Sequence, residues 1–166
     1  QHSFSPEVQV AADTGTQSYE TVGCTFDQTM IYENHLDTIK AVEILTENGV
    51  SLSEQDLAAA EIFEKQLPLL DPILVGSSGQ MKEYREEDYY GEIGTEPTHR
   101  HTSQLVGVYP GTMVNSSTPA WQDAAKVSLS KREEDPDKTK GWSKAHRAAI
   151  WARLYEGDRA YNDYQK

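Results

Sequence analysis

The feature that most constrains the fold is a run of side chains at helical spacing in the first third of the chain. They recur at intervals of three and four residues: Tyr32, His35, Leu36, Ile39 and Val42. This spacing places them on one face of an amphipathic α-helix. Asn48 and Gly49 follow as a C-terminal stop, because both residues tolerate the left-handed conformation that ends many helices.

Local signals delimit this helix and a second one after it. Thr25 and Gln28 have the spacing of a capping box, which predicts the start of the first helix. Ser53 followed by Asp56 predicts the start of the second, which runs to about Leu67 before Pro68. Two helices with so short a connection are expected to form an antiparallel hairpin.

The rest of the chain also favours helices. Thr118 before Pro119 predicts a helix start. The buried stripe of this helix is expected to be Trp121, Ala124, Ala125, Ser128 and Leu129. Ser143 is the expected cap of a further helix that ends at Gly157, and another begins at Asp158.

Residues 102–108 are expected to form a short helix, and residues 1–24, 68–98 and 131–140 are expected to form loops. Strand signals are few, so the predicted fold class is all-α, in helical hairpins with long irregular loops.

Composition narrows the possible ligands. A chain of 166 residues is expected to form one domain, and its net charge of −12 disfavours nucleic acid and anionic membranes, which demand basic patches. No apolar run approaches the roughly 20 residues of a membrane span. Cys24 is the single cysteine, so no internal disulfide can form. Neutral polar ligands such as sugars remain compatible with this composition.

The segment most suggestive of chemistry is His99, Arg100 and His101, which lies between a long loop and the short predicted helix. Arginine offers forked donors, and neutral histidine offers one donor and one acceptor, which together suit sugar hydroxyls. A hydrogen-bonded cluster without a ligand is the alternative. A metal site is the weaker third interpretation, since two histidines lack the further ligands that zinc needs.

Other candidates are two carboxylates and one indole. Glycoside hydrolysis typically uses two carboxyl groups, and Glu7 and Glu83 both lie in loops. Either could equally be a solvated surface residue, and spacing does not choose between them. Trp142 is the tryptophan best placed to face a ligand, because it lies at a predicted helix start, whereas Trp121 and Trp151 are expected in the core.

Several short motifs, in this order, resemble the catalytic domain of glycoside hydrolase family 95, a family of α-L-fucosidases with some α-L-galactosidases. The resemblance covers nearly the whole chain, and residues 99–111 are its most specific part. The motifs are residues 5–7, 25–28, 79–84, 99–101 running into 107–111, 118–119, 141–143, 151–154 and 157–161.

The resemblance implies a fold, a mechanism and a set of site residues. The fold would be part of an (α/α)6 barrel, and the reaction an inverting hydrolysis of terminal α1,2-linked fucose without a cofactor. Glu7 would match the general acid, while Arg100 and His101 would bind the fucose hydroxyls. His99, Glu83 and Trp142 are the further residues expected at the substrate. Fucosylated glycans would be the substrates, which favours an extracellular or periplasmic location.

This chain departs from the family's pattern mainly by what it lacks. The asparagine pair that positions the attacking water would lie upstream, and the aspartate base downstream. An inverting site needs that second carboxyl roughly 6.5–9.5 Å from the acid. We therefore expect residues 1–166 to be a partial catalytic domain, incomplete at both ends, and inactive without the remainder of its parent. An α-L-galactosidase and a non-catalytic carbohydrate-binding or scaffold protein are the alternative functions.

Overall fold

The computed structural model describes residues 23–85, 98–135 and 141–165, together with the backbone of four two-residue strands between residues 2 and 22. Within this part, the chain forms five α-helices. They are α1 (Thr25–Glu47), α2 (Glu54–Gln66), α3 (Pro119–Arg132), α4 (Gly141–Arg153) and α5 (Gly157–Gln165). The predicted helical class is confirmed at this level.

Helices α1 and α2 form the predicted hairpin. Ser53 and Asp56, predicted as the start of α2, make a capping box, each side chain bonding the backbone N–H of the other. His35 in α1 stacks on Phe63 near the end of α2, with ring centroids 4.0 Å apart. Its Nε2 lies 2.8 Å from the side-chain oxygen of Gln66. The middle of α1 thus meets the end of α2, as it must when two helices run antiparallel.

The start of α1 differs from the prediction. Cys24 is the N-cap, and no side chain caps the helix, so the capping box at Thr25 and Gln28 was wrong. The Thr25 hydroxyl instead donates to the carbonyl oxygen of Lys82 at 2.6 Å, and its N–H donates to that of Glu83 at 2.9 Å. A tertiary contact across 57 residues has therefore taken the hydroxyl that a local cap would use.

Gly23 allows this contact to form. Its φ is +73°, and a Cβ there would lie 2.6 Å from the Cβ of Arg85. Arg85 N–H donates to the Gly23 carbonyl at 3.0 Å. Residues 82–85 consequently run alongside residues 23–25, which brings Glu83 next to the first turn of α1.

The later helices keep their predicted positions but not all of their predicted ends. Pro119 is the first residue of α3, as expected, whereas the Thr118 hydroxyl bonds the Asn115 backbone instead of capping the helix. Ser143 is buried inside α4, which begins at Gly141, so it is not a cap. Gly157 begins α5 rather than ending the preceding helix.

Two further segments differ from the prediction: residues 1–24, which were expected to form a loop, and residues 102–108, which were expected to form a short helix. Residues 1–24 were predicted as loop, but His2–Ser3 pairs antiparallel with Thr21–Val22, and Val10–Ala11 with Ser18–Tyr19. Between residues 102 and 108, only Ser103–Leu105 is helical, as one 3-10 turn. Backbone hydrogen bonds that reach three residues, such as Val108 N–H to Leu105 O at 2.9 Å, keep the following residues in turns.

The hydrophobic core lies between α3, α4 and the two loops that precede α3. Trp151 in α4 and Leu154 directly after it belong to one buried cluster with Ala125 and Leu129 in α3. The loop residues that complete this core are Ile73, Met81, Leu105, Val108 and Val114. The turn at residues 103–108 is thereby fixed from below, which positions the candidate site.

Among the helices that the structure describes, none combines the length and apolarity that a lipid bilayer would require.

Candidate functional site

The segment from His99 to His101 is held by hydrogen bonds that involve its backbone, one within the segment and one from α4. His99 is 5% exposed, and its Nδ1 accepts from the backbone N–H of His101 at 3.1 Å. A neutral His99 ring that accepts at Nδ1 carries its proton on Nε2. Arg147, buried in α4, donates from Nη2 to the His99 carbonyl at 3.4 Å. The two histidines are thus fixed relative to each other and to α4.

A pocket of about 320 Å³ opens beside this segment. The His101 ring lies 4.9 Å from the ring of Trp142, which is 52% exposed. Most of the lining is apolar. The lining residues are Phe26, Met30, His101, Thr102, Ser103, Val106, Pro110, Trp142 and His146.

His146 is the polar residue of this pocket whose hydrogen bonds define its protonation. Its Nε2 lies 3.3 Å from the Tyr109 carbonyl oxygen, and its Nδ1 lies 3.0 Å from the Thr102 hydroxyl. Burial lowers the pKa of His146, and the nearby His101 adds to this. A carbonyl oxygen can only accept, so the neutral ring carries its proton on Nε2 and accepts from Thr102 at Nδ1. The Thr102 oxygen keeps its acceptor capacity for a ligand.

Glu83 lies behind the pocket rather than in its lining. Its side chain is fully buried, and its two carboxylate oxygens have different partners. Oε1 accepts from the Ser103 hydroxyl at 2.6 Å, and Oε2 accepts from Arg132 Nη2 at 2.5 Å. Ser103 itself lines the pocket, so this carboxylate reaches the site through one intervening side chain.

The structure brings together part of the predicted set. His99, His101 and Trp142 are neighbours in space, and Arg100 is half-buried between the two histidines in sequence. Glu7, the predicted acid, lies outside the described residues.

Sequence reasoning missed Thr102 and His146: Thr102 was expected only as the start of the short helix, and His146 was not among the candidates. The signal was present, because His146 follows Trp142 by four residues, and this spacing puts two side chains on one helix face. Arg147, the next residue, is buried and bonds the His99 carbonyl, so it supports the segment from within α4.

A larger hollow of about 510 Å³ lies between α3 and the residues around Trp151 and Arg159, and its chemistry is less suited to a ligand. Its charged side chains are engaged with one another. Lys126 pairs with Glu156 at 2.8 Å, and Lys131 with Glu134 at 2.6 Å. Arg159 covers the Trp151 ring at 4.4 Å. We therefore favour the smaller pocket beside His101.

Neither the cysteine nor a metal cluster adds chemistry in the described part of the chain. Cys24 is 1% exposed, and burial raises the pKa of its thiol, which keeps it protonated and unreactive. No group of three or more His, Cys, Asp or Glu side chains in residues 23–85, 98–135 and 141–165 is arranged to hold a metal ion.

Comparison with known proteins defines the class to which this helical domain and its pocket belong. The Glycosyl hydrolase family 95 catalytic domain matches residues 1–166, which is the whole chain. The chain therefore belongs to glycoside hydrolase family 95, and the resemblance seen in its motifs is confirmed.

Its relatives include three fucosidases by name. The chain is 33% identical over 161 residues to Alpha-L-fucosidase 2 of Arabidopsis thaliana, covering 96% of this chain and 17% of that protein. It is 34% identical over 151 residues to Probable alpha-fucosidase A of Aspergillus oryzae, covering 87% and 20%. For Probable alpha-fucosidase A of Aspergillus niger the identity is 30% over 153 residues, covering 89% and 18%. The chain spans about a fifth of the length of these relatives.

Proposed function

We propose that the parent protein of this chain is an inverting exo-α-L-fucosidase that removes terminal α1,2-linked fucose from glycans. The observation that carries the proposal is the pocket in which His101 and Trp142 lie side by side at 4.9 Å. An aromatic face beside hydrogen-bonding groups is what a sugar ring requires. The names of the relatives support fucose as that sugar.

In this proposal, the chain supplies one wall of the sugar site. His101 and Arg100 bind fucose hydroxyls, His99 holds His101 in place, and Trp142 stacks on the ring. Thr102 adds an acceptor, since its own proton is directed at His146. Glu83 does not line the pocket; it accepts a hydrogen bond from Ser103, which does.

The apolar lining favours fucose over L-galactose. Fucose carries a methyl group where L-galactose carries a hydroxymethyl group, and burying an unpaired hydroxyl costs free energy. Phe26, Met30 and Val106 offer that methyl group an apolar surface. An α-L-galactosidase is the second candidate, and it would need a polar partner at this position.

Catalysis by inversion needs groups from beyond this wall. Glu7 would donate a proton to the glycosidic oxygen as the C1–O bond breaks, while a base takes a proton from the water that attacks C1. The base and the water-positioning asparagines belong to the remainder of the parent. We propose that α1 to α5 form part of an (α/α)6 barrel, and that residues 1–166 are an incomplete catalytic domain without activity of its own.

The test is fucose release from 2′-fucosyllactose by the complete parent protein, beside a Glu7→Gln variant. The parent should release fucose, and Glu7→Gln should lower kcat by about 10²-fold or more, the usual range for a general acid. Glu64→Gln is the matched control, because Glu64 lies exposed on α2. Full activity in Glu7→Gln would contradict its assignment as acid. Hydrolysis of the matching α1,2-linked L-galactoside of lactose, but not of 2′-fucosyllactose, would support the second candidate.

A further inference from the structure

Two arginines lie fully buried beneath the segment that carries the candidate sugar site. Arg132 comes from the last turn of α3, and Arg147 from the middle of α4. Their exposed fractions are 0% and 2%. Arg147 holds the His99 carbonyl at one end of the segment. Arg132 reaches the other end, at Gln104 directly and at Ser103 through Glu83.

The connection at the Ser103 end passes through Glu83. Arg132 Nη2 donates to Glu83 Oε2 at 2.5 Å and lies 3.4 Å from the side-chain oxygen of Gln104. Glu83 Oε1 then accepts from the Ser103 hydroxyl at 2.6 Å. The backbone of Glu83 is fixed separately, because its carbonyl accepts from Thr25 N–H in α1. Glu83 therefore links three parts of the fold: its carbonyl meets α1, and its carboxylate joins α3 to the segment at residues 99–104.

Such a buried ion pair is an expensive way to stabilise a fold. Removing two charges from water costs several kcal/mol per ion, and apolar residues of similar volume often stabilise a core as well or better. What an ion pair adds is direction, because its hydrogen bonds fix the angles and distances of the groups that it joins. Here the group at its end is Ser103, which lines the pocket beside His101 and Thr102.

We infer that Glu83 is a positioning residue for the sugar site: held by Arg132, it fixes Ser103 and thereby the placement of His101 and Thr102. This inference rests on the proposed function for its catalytic readout. In this role Glu83 neither touches the sugar nor donates a proton to it. Both carboxylate oxygens are engaged, and the side chain has no accessible surface.

Kinetics of the complete parent test this role with three variants. Ser103→Ala removes only the donor at the end of the network, Glu83→Gln removes the charge, and Glu134→Gln breaks the exposed Lys131–Glu134 pair as the control. We expect kcat/KM per folded molecule to fall about 10-fold in Ser103→Ala and up to about 100-fold in Glu83→Gln, as small misplacements near a reacting centre do. The double variant should lose little more than Glu83→Gln, because both act through one contact. Glu134→Gln should keep the parent's rate.

Two substrates separate positioning from acid catalysis. We expect Glu83→Gln to lose the same factor on 2′-fucosyllactose and on 2-chloro-4-nitrophenyl α-L-fucoside, whose phenolate departs without a proton. A loss confined to 2′-fucosyllactose would make Glu83 the acid and overturn the inference. A lower Tm with unchanged kcat/KM would reduce Glu83 to a structural role and overturn it as well.

Hydrogen exchange provides a readout that does not depend on activity. In Glu83→Gln, backbone amides of residues 99–104 should exchange at least about 10-fold faster, while those of α2 keep the parent's rates. Unchanged exchange in residues 99–104 would overturn the positioning role. A parent that releases no fucose would instead overturn the proposed function, so the two failures can be told apart.

Discussion

The indole Nε1–H of Trp151 donates to Oε1 of Glu133 at 2.6 Å, joining the last turn of α4 to the residue that follows α3. Burial raises the pKa of Glu133, and the nearby Asp163 raises it further, whereas Trp151 and Arg147 act in the opposite direction. The bond therefore stabilises a carboxylate in a place that disfavours its charge.

A Glu133→Gln substitution should make the chain less sensitive to rising pH. Because the pKa of Glu133 is higher in the folded state, the folded chain binds more protons above about pH 4.5, the ordinary value for glutamate. Stability is thus lost as the pH rises from there through the folded-state pKa. Glutamine keeps an acceptor for Trp151 but does not titrate.

The measurement is the Tm of both proteins between pH 4 and pH 8. We expect the difference in Tm, Glu133→Gln minus the unsubstituted chain, to increase from pH 4 to pH 8. A difference that stays constant with pH would show that the Glu133 carboxyl has the same pKa in the folded and unfolded states.

Glu33 should stabilise the fold by capping a loop rather than its own helix. Its Oε1 accepts from the backbone N–H groups of Thr112 and Met113 at 2.5 Å and 2.7 Å, and its Oε2 accepts from the Thr112 hydroxyl at 3.0 Å. Glu33→Ala should cost roughly 2–4 kcal/mol, because it leaves donors near the core without their charged acceptor. Urea unfolding measures this, with Glu43→Ala on the exposed side of α1 as the control, expected within about 0.5 kcal/mol of the parent. Equal costs for the two variants would contradict the role of Glu33.

His146 should make part of the stability depend on pH in the acidic direction. Its pKa is lowered from about 6.5 by burial, so the unfolded chain binds more protons as the pH falls below 6.5, and stability is lost there. His146→Gln removes this titration. The cost of the substitution should be larger at pH 7.5 than at pH 5, because only the unsubstituted chain loses the contribution of His146 on acidification. The other histidines contribute equally to both proteins. Paired urea unfolding at the two pH values checks this, and a cost that grows on acidification would refute it.

The thiol of Cys24 should stay unreactive until the chain unfolds. It is buried against Tyr84, and its pKa is raised. We expect labelling by a thiol-specific disulfide reagent at pH 8 to be at least about 10²-fold slower in the native chain than in 6 M guanidinium. Since Cys24 is the single cysteine of the chain, the count is unambiguous. Immediate labelling of the native chain would show that the first turn of α1 opens readily.

The sequence predicted those elements whose signals are local. Ser53, Asp56 and Gly49 act within a few residues of themselves, and the α1–α2 hairpin follows from them. Thr25 carries an equally good local signal, but its hydroxyl is used by Lys82, and this pairing could not be read from nearby residues. Ser143 failed as a cap because α4 begins two residues earlier, at Gly141, and Ser143 lies buried inside the helix.

The sequence predicted the segment that carries the site but not the buried side chains that lie behind it. Residues 99–101 could be identified because their side-chain chemistry is unusual at a loop-to-helix junction. That Glu83 lies behind the pocket depends on Arg132, 49 residues away, and only the fold reveals the pair. His146 could have been found from its spacing to Trp142.

The most direct test of the central claim is a proton NMR time course of the complete parent protein acting on 2′-fucosyllactose. We predict that free fucose appears, with the β anomer first, because inversion at C1 of an α-fucoside gives the β product before mutarotation. Appearance of the α anomer first would contradict the inverting mechanism. Absence of any released fucose would contradict the assignment of this chain to an α-L-fucosidase.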